Sequence, residues 1–378
     1  MKLVEVSEKE FLDFSKKCPA TNFLQSVEMY RRYQKRGDES YLVGLFQGEK
    51  MVAGALLVSK YKVLGQKMFI CPRGFLADFN SSDFCEILRN FTVLVKKFLR
   101  VKNAAVLEIS PNIVRTAKVD KDGVPTENYL TDSLNMEFTK LGYVALGEYE
   151  FVKWIYALST DNLKEGELLS HLRTDHRRTT RLSENRYGLR VRELDVSELG
   201  ILKDLSNEAA ERHGFVTPEI SYYKEMKAVY GDKVKFLVVE ADKKVVQAFE
   251  EGNDAETISK IAEKVPVKIK DGVPVAAAMF IFWPTEVIYL FSGSSSKYRK
   301  FGGPHLLQYK MIQETIKRGI KKYNFYGTDP KKGDGVYEFK RGYHGELQEY
   351  IGTYMLPISL IGKIYAKKQK YKDVRDIH

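Results

Sequence analysis

Lys340 stands in the run Val336-Tyr-Glu-Phe-Lys-Arg-Gly-Tyr343, with aromatics at Phe339 and Tyr343 beside it. An ammonium in such company is partly desolvated yet charged, and can stabilise an oxyanion as it develops. The competing reading is a surface lysine whose methylene stem covers aromatic surface. A second concentration of chemistry lies at His171–Arg192, which holds seven arginines (Arg173, Arg177, Arg178, Arg181, Arg186, Arg190, Arg192), no lysine and two acids. Arg173, Arg177 and Arg181 fall at i, i+4 and i+8, on one helix face. The planar guanidinium fork suits phosphate better than an ammonium does. That face is therefore expected to meet the phosphates of a polyanionic partner, unless it is simply a solvated basic face. His213 has the chemistry of an acid or base, but no Ser-His-Asp order or cysteine partner supports a nucleophilic mechanism, and it is given no role. No zinc, haem or Walker pattern occurs, so no metal and no cofactor are expected.

The elements that must position these groups can be read from periodicity and punctuation. Lys340 follows a strand end at Tyr323–Gly327 and a polar loop at Thr328–Gly335, and precedes a strand-like run at Leu347–Tyr354. Loops joining strands on a rigid sheet are where catalytic groups concentrate. Earlier in the chain, Ser7-Glu-Lys-Glu caps a helix, Glu28–Lys35 is a second, and Tyr41–Phe46 with Met51–Val58 forms a hairpin across the turn Gln47–Lys50. A strand within Phe69–Phe75 that enters the loop Cys71-Pro-Arg-Gly-Phe, a helix at Asp83–Leu99, a strand at Ala104–Ile109 and a helix at Asn135–Gly142 follow. The same grammar recurs after about residue 150. It gives a strand at Lys153–Ala157, a helical region at Lys164–Asn185 and helices at Ser197–His213 and Pro218–Tyr230. A strand at Val234–Glu240, a strand pair at Pro274–Phe282 and Val287–Gly293, and a helix at Pro304–Arg318 complete it. Helices alternating with strands and hairpins predict mixed-sheet α/β domains, and the recurrence suggests a duplicated acetyltransferase-like unit.

Composition sets the outer bounds. At 378 residues the chain is long for one domain. No apolar run approaches the ~20 residues of a membrane span, and acids occupy the place of a signal peptide's apolar core. Cys18, Cys71 and Cys85 form no CxxC pair, which predicts a reduced, cytoplasmic setting. A net charge of +11 favours a polyanionic partner: nucleic acid, anionic lipid head groups or a phosphorylated precursor. The basic tail from Lys363 to Arg375 either meets an anionic surface or is a solvated helix end.

Several motifs resemble one family in order. Tyr326-Gly-Thr-Asp, Gly335-Val-Tyr-Glu-Phe-Lys-Arg-Gly-Tyr-His-Gly-Glu, Glu349-Tyr-Ile-Gly and Leu356-Pro357 resemble the C-terminal signature of the Fem family. Asn22-Phe-Leu-Gln-Ser, Cys71-Pro-Arg-Gly-Phe, Glu211-Arg-His-Gly-Phe, Tyr222-Tyr-Lys and Gly231-Asp-Lys-Val look like further landmarks. These are aminoacyl-tRNA-dependent peptidyltransferases that build peptidoglycan cross-bridges. The resemblance implies two tandem acetyltransferase-like (GNAT-like) domains. The first takes residues 1–149 and about 346–378, the second 150–345 with a short helical insertion at about 243–264. Relatives carry a much longer helical hairpin there, thought to contact tRNA.

The resemblance further implies that Arg212 contacts precursor phosphate with Arg31 or Lys35 as partner, that Tyr289 touches substrate, and that Lys340 is catalytic. Its substrates would be aminoacyl-tRNA and a UDP-linked or lipid-linked peptidoglycan precursor. The protein would be a cytoplasmic monomer touching the inner membrane surface peripherally. Arg299-Lys-Phe-Gly-Gly-Pro304 faintly resembles the pyrophosphate loop of acyl-CoA acyltransferases, but Pro304 has no N–H to donate. A CoA-dependent N-acyltransferase and a non-catalytic basic module for RNA or membrane remain the alternatives.

Overall fold

Local signals account for many element boundaries. The Ser7 hydroxyl accepts from the Glu10 amide at 3.2 Å while the Glu10 carboxylate accepts from the Ser7 amide at 2.8 Å, closing a capping box. The hairpin expected near residue 48 turns on Gly48-Glu49, where Gly48 takes φ +60°.

The computed structural model describes residues 1–119, 125–128, 132–146, 151–214, 216–269, 272–331 and 333–375. The chain divides into two compact units, Met1–Ile155 with Leu347–His378, and Tyr156–Glu346. The first unit begins β1 (Lys2–Glu5), α1 (Glu8–Ser15), α2 (Val27–Lys35), β2 (Ser40–Gln47), β3 (Lys50–Val63), β4 (Gln66–Cys71) and β5 (Leu76–Ala77). It continues α3 (Phe84–Arg100), β6 (Ala104–Ile109), β7 (Val114–Val119), β8 (Pro125–Asn128), α4 (Asp132–Lys140) and β9 (Val144–Leu146). At the border comes β10 (Trp154–Ser159). The second unit then holds α5 (Leu168–His171), α6 (Thr174–Asn185), β11 (Arg190–Glu193), α7 (Leu199–His213), α8 (Ile220–Tyr230) and β12 (Val234–Ala241). The short pair α9 (Lys243–Glu250) and α10 (Ala255–Ala262) is followed by β13 (Val273–Phe282), β14 (Val287–Ser294), α11 (Gly303–Lys317), β15 (Lys322–Gly327) and α12 (Gly335–Arg341). The chain returns to the first unit through β16 (Glu346–Tyr350), β17 (Thr353–Pro357) and α13 (Leu360–Arg375).

The first unit's main sheet runs β1-β2-β3-β4-β6-β17-β9 with β5 against β3; β4 and β6 are parallel and the other pairs antiparallel. Helix α3 covers it with Phe84, Ile87, Leu88, Phe91, Val95 and Leu99, one apolar stripe at helical spacing. In the second unit the strand order is β11-β12-β13-β14-β15-β10. There β12, β13 and β14 are antiparallel, while β14 and β15 are parallel. That parallel pairing holds only at Val287–Tyr323 and Ile288–Asn324, after which the two strands part.

The strand that enters the loop Cys71-Pro-Arg-Gly-Phe ends at Cys71, because Pro72 has no N–H for the ladder and Arg73 sits at φ +49°. Two other expected boundaries are displaced. The run Leu347–Tyr354 is two strands rather than one: Gly352, at φ +119°, turns the chain between β16, which pairs with β7, and β17, which pairs with β6 and β9. The helical region Lys164–Asn185 breaks where Leu172 and Arg173 become extended, leaving Arg173 as the N-cap of α6.

Candidate active site

The parting of β14 and β15 opens the place where the chemistry gathers. Tyr289 follows the last paired residue of β14, and Phe325, Tyr326 and Gly327 follow that of β15. Tyr326 adopts φ +60°, uncommon for a residue with a side chain. Its amide donates to the Asn324 side chain at 2.8 Å, and buried Asn324 in turn donates to Glu286 at 2.9 Å. This buried pair sustains the bend that turns two successive carbonyls, of Tyr326 and Gly327, toward Lys340.

Helix α12 carries Lys340 to that bend. Asp334 caps the helix, accepting from the Tyr337 amide at 2.6 Å. Lys340 is 4% exposed, donates to the Tyr326 carbonyl at 3.4 Å and to the Gly327 carbonyl, and has no ion-pair partner among the described residues. Burial pushes its ammonium down to about 7, against the weaker pull of Asp334. The surface-lysine reading is thus excluded, and so is the expectation of a group only partly desolvated and simply charged. Lys340 titrates near neutral pH.

Sequence reasoning missed the group that fixes this helix from behind. The His176 ring, 3% exposed, lies 2.7 Å from the Phe339 carbonyl through Nε2. A Cβ on Gly342 would stand 2.2 Å from that ring, so only glycine lets α12 close on α6. The Gly342 carbonyl also accepts from the Arg173 amide at 3.0 Å. His305, 4.7 Å from His176 between ring centres, is driven down to about 3 by burial and the neighbouring His176, so it packs as a neutral ring. His176 and Arg173 lie more than a hundred residues from Lys340 in the chain, and nothing local signals them.

The arginine cluster divides by environment. Arg173 is bound to Asp175 at 2.7 and 2.8 Å and lies 3.8 Å from Glu338, so it belongs to the α6–α12 contact. Arg192 forks onto Glu198 and Glu240, which holds its guanidinium above the usual range, and Arg190 bonds the Leu189 and Val265 carbonyls. Arg177, Arg178 and Arg181 stand on α6 without hydrogen-bond or ion-pair partners among the described residues. A shallow depression beside them is lined by Arg173, Thr174, Asp175, Arg178, Thr179 and Leu182.

Arg212, exposed near the end of α7, donates to the Ser294 carbonyl at 3.1 Å and to the Ser296 hydroxyl, and lies 4.0 Å from Glu208. It therefore stands at the C-terminal end of β14, the strand that carries Tyr289. His213 lies outside the described side chains. Tyr289 is half-buried, 5.5 Å from Phe280 between ring centres, and its hydroxyl is held above its ordinary pKa by burial. In the first unit, Arg31 is exposed and ion-paired to Glu8 at 2.6 Å, and Lys35 is exposed in the last turn of α2.

The loop at Arg299–Pro304 is closed to a phosphate. A Cβ on Gly302 would meet the Thr179 methyl at 2.5 Å and the Ser183 hydroxyl at 2.6 Å, and Ser183 donates to the Gly302 carbonyl at 3.1 Å. Side chains of α6 pack directly on the backbone of this loop.

The described features meet an independent finding: the model of the FemAB family matches residues 6–251 and 241–369. The chain belongs to the FemAB family. The junction of the two matches falls on α9, within the short insertion. Aminoacyltransferase FemA of Staphylococcus epidermidis is 26% identical over 421 aligned positions, covering 98% of this chain and all of that protein. Its Staphylococcus aureus counterpart is 25% identical, covering 100% of this chain and 99% of that protein. Both alignments are longer than the chain's 378 residues, so these FemAB relatives carry segments that this member lacks. The crystal structure of FemX superposes with a TM-score of 0.74 at 21% identity, covering 98% of this chain and 100% of that one. A tandem GNAT protein from the clavulanic acid biosynthesis pathway gives 0.55 at 9% identity over 95% and 98%. The fold of this FemAB member is two GNAT-like domains in tandem.

Proposed function

We propose that this chain moves an aminoacyl group from aminoacyl-tRNA to the side-chain amine of a peptidoglycan precursor's stem peptide, making an interpeptide-bridge amide and releasing tRNA. Aminoacyl transfer in cross-bridge formation is supported by FemAB membership and by full-length likeness to proteins named aminoacyltransferase FemA. The structural observation that carries the reading is Lys340, a buried lysine with carbonyl partners only, at the parting of two strands.

The amine attacks the ester carbonyl, and negative charge builds on that oxygen. An ammonium has three N–H groups, and two of Lys340's point at the Tyr326 and Gly327 carbonyls. The third is available to the developing oxyanion, in surroundings where a charge-assisted bond is strong. Collapse of the tetrahedral intermediate expels the tRNA ribose oxygen, which leaves as a hydroxyl with the proton that the amine gives up, directly or through water; the ester is already activated, so no covalent enzyme intermediate is needed. His176 and Gly342 hold the backbone on either side of Lys340.

Arg212 anchors the precursor's phosphate in the second unit, and Arg31 and Lys35 are substrate contacts of the first; the exposed Arg31–Glu8 pair is weak enough for a phosphate to displace. Tyr289 lines the acceptor side. The unpartnered arginines of α6 meet tRNA phosphates, a compensation for the short α9–α10 pair. The filled loop at Gly302 favours tRNA over CoA as the donor's carrier. No helix among the described residues is long and apolar enough to cross a membrane. The acceptor is UDP-linked or lipid-linked, and the protein works as a monomer at the inner membrane's cytoplasmic face.

Incubation with a set of radiolabelled aminoacyl-tRNAs and both precursor forms tests this. Label is expected in the precursor with one of the tRNAs. Label in neither precursor, together with acylation of an amine from acyl-CoA, would overturn it.

A further inference from the structure

Helix α13 closes the first unit with one face pressed on the sheet and another left bare. A Cβ on Gly362 would stand 1.8 Å from the Ala105 carbonyl, and Ala366, one turn on, is wholly buried. That contact fixes the helix's rotation. The outward stripe is then Leu360, Lys363, Ile364, Lys367 and Lys368, all exposed, at the i, i+3, i+4, i+7 and i+8 spacing of a single face. It carries no acid. Leu360 is 73% and Ile364 64% exposed.

Neighbouring turns extend the same surface. The Tyr365 hydroxyl is 2.8 Å from that of Tyr61, and the Ser359 hydroxyl donates to the Gln66 side chain. The intervening turn of β3 and β4 presents Leu64, 82% exposed, and the Gly65 carbonyl accepts from Asn103 at 3.5 Å. Beside Asn103 stands Val101, 81% exposed. Single exposed aliphatics are ordinary, but four of them set among lysines along hydrogen-bonded turns are not. The cations also crowd one another: Lys96 on α3 is held below the usual lysine range by burial and then by Lys363 and Arg100.

We propose that this surface, α13's outward stripe with the turns at Leu64 and Val101, docks the protein on an anionic lipid bilayer. Phosphates of a nucleic acid would satisfy the lysines but leave Leu360, Ile364, Leu64 and Val101 in water. A bilayer interface takes both, with aliphatics among the acyl chains and lysines among the head groups. The argument stands on exposure and charge and does not depend on the aminoacyl-transfer chemistry.

Sedimentation of the full chain with vesicles of phosphatidylglycerol and phosphatidylcholine, against phosphatidylcholine alone, tests it. Binding is expected to the anionic vesicles and to fall with salt. Lys363→Gln/Lys367→Gln/Lys368→Gln should weaken it by roughly fivefold per lysine, on the order of 100-fold in all. Leu360→Ser/Ile364→Ser should weaken it at least ~10-fold with thermal stability unchanged, since both side chains are exposed. A protein left in the supernatant with anionic vesicles, or variants that bind like the parent, would overturn the proposal. So would a lysine variant that loses tRNA affinity while vesicle binding is intact. Vesicle binding is read without any transfer, so its failure and the failure of the catalytic reading are separate results.

Discussion

Each unit buries a cation next to its sheet, Arg73 in a loop of the first and Lys340 on α12 of the second, and the two are handled in opposite ways. Arg73 in the first unit is 5% exposed; its guanidinium lies 3.6 Å over the Tyr350 ring and donates to the Val152 carbonyl. Its own carbonyl accepts from Asn22 at 3.0 Å, and Gln25 ties the same loop through Pro72 at 2.8 Å. The landmarks Asn22–Ser26 and Cys71–Phe75 are thus one hydrogen-bonded scaffold. Lys340 in the second unit is as deeply buried but has only two carbonyls, and burial brings it to the edge of losing its proton. Arginine holds its charge in almost any environment and suits a structural post, whereas a desolvated lysine can be tuned to a pH. The difference separates a site of support from a site of chemistry.

The comparison breaks first at Lys340. Lys340→Met keeps the stem's packing and removes the charge; kcat should fall by ~10²–10³ with KM little changed, by analogy with loss of one oxyanion-hole donor. Retention of more than about a third of the activity in a steady-state transfer assay would take Lys340 out of the mechanism.

Stability should move in opposite directions at the two cations. Arg73→Ala, which empties the space over Tyr350, should cost roughly 3 kcal/mol in denaturant unfolding, with no new pH dependence. Lys340 has the reverse sign. Its pKa is 10.5 unfolded and about 7 folded, so below 10.5 the unfolded chain holds the proton more tightly and protonation favours unfolding. This lysine destabilises the fold by on the order of 4 kcal/mol at pH 7, an effect that fades as pH rises toward 10.5. Lys340→Met should therefore be more stable than the parent at pH 7, by ~1–3 kcal/mol once the two deserted carbonyls are counted. The gap should shrink by about 1.4 kcal/mol per pH unit above 7. A less stable variant at pH 7 would place Lys340 with Arg73 among the supports.

Arg212→Ala should raise KM for the precursor by roughly ten- to a hundredfold and leave that for aminoacyl-tRNA nearly unchanged. A fall in tRNA affinity alone would reassign it. The smallest effect belongs to α6. Replacing Arg177, Arg178 and Arg181 with glutamine should flatten the dependence of log K for tRNA on log salt by up to ~2–3 units. The same change at Arg173, already bound to Asp175, should do little. Equal slopes in all variants would return the helix to a solvated face.

How much of this was legible depends on whether a contact is local. The Ser7 cap, the turn within Gln47–Lys50 and the helix from Asp83 to Leu99 follow from spacing alone, whereas the Asp334 cap lies in a stretch that reads as polar loop. The ordered motifs from Tyr326 to Pro357 led to Lys340 and to the family. Six short strands escaped: β1, β5, β7, β8, β9 and β11. Arg190–Glu193 reads as loop because three of its four residues are charged, and only pairing with β12 and the Arg192–Glu240 fork makes it a strand. His176 carries no local signal, since its partner Phe339 is 163 positions away. The low pKa of Lys340 needed burial from several elements at once, which no local sequence specifies.

The pH dependence of transfer bears most directly on the role of the Lys340 ammonium. The acceptor amine must be neutral, and its free fraction rises tenfold per pH unit up to about 10.4. If the reaction also needs a protonated Lys340 with a pKa near 7, the cationic fraction falls tenfold per unit over the same range. Log kcat/KM should then be flat between about pH 7.5 and 9.5 in the parent enzyme, and climb with unit slope in Lys340→Met. Unit slope in the parent as well would contradict the assignment, because no cation titrating near neutrality would then be taking part.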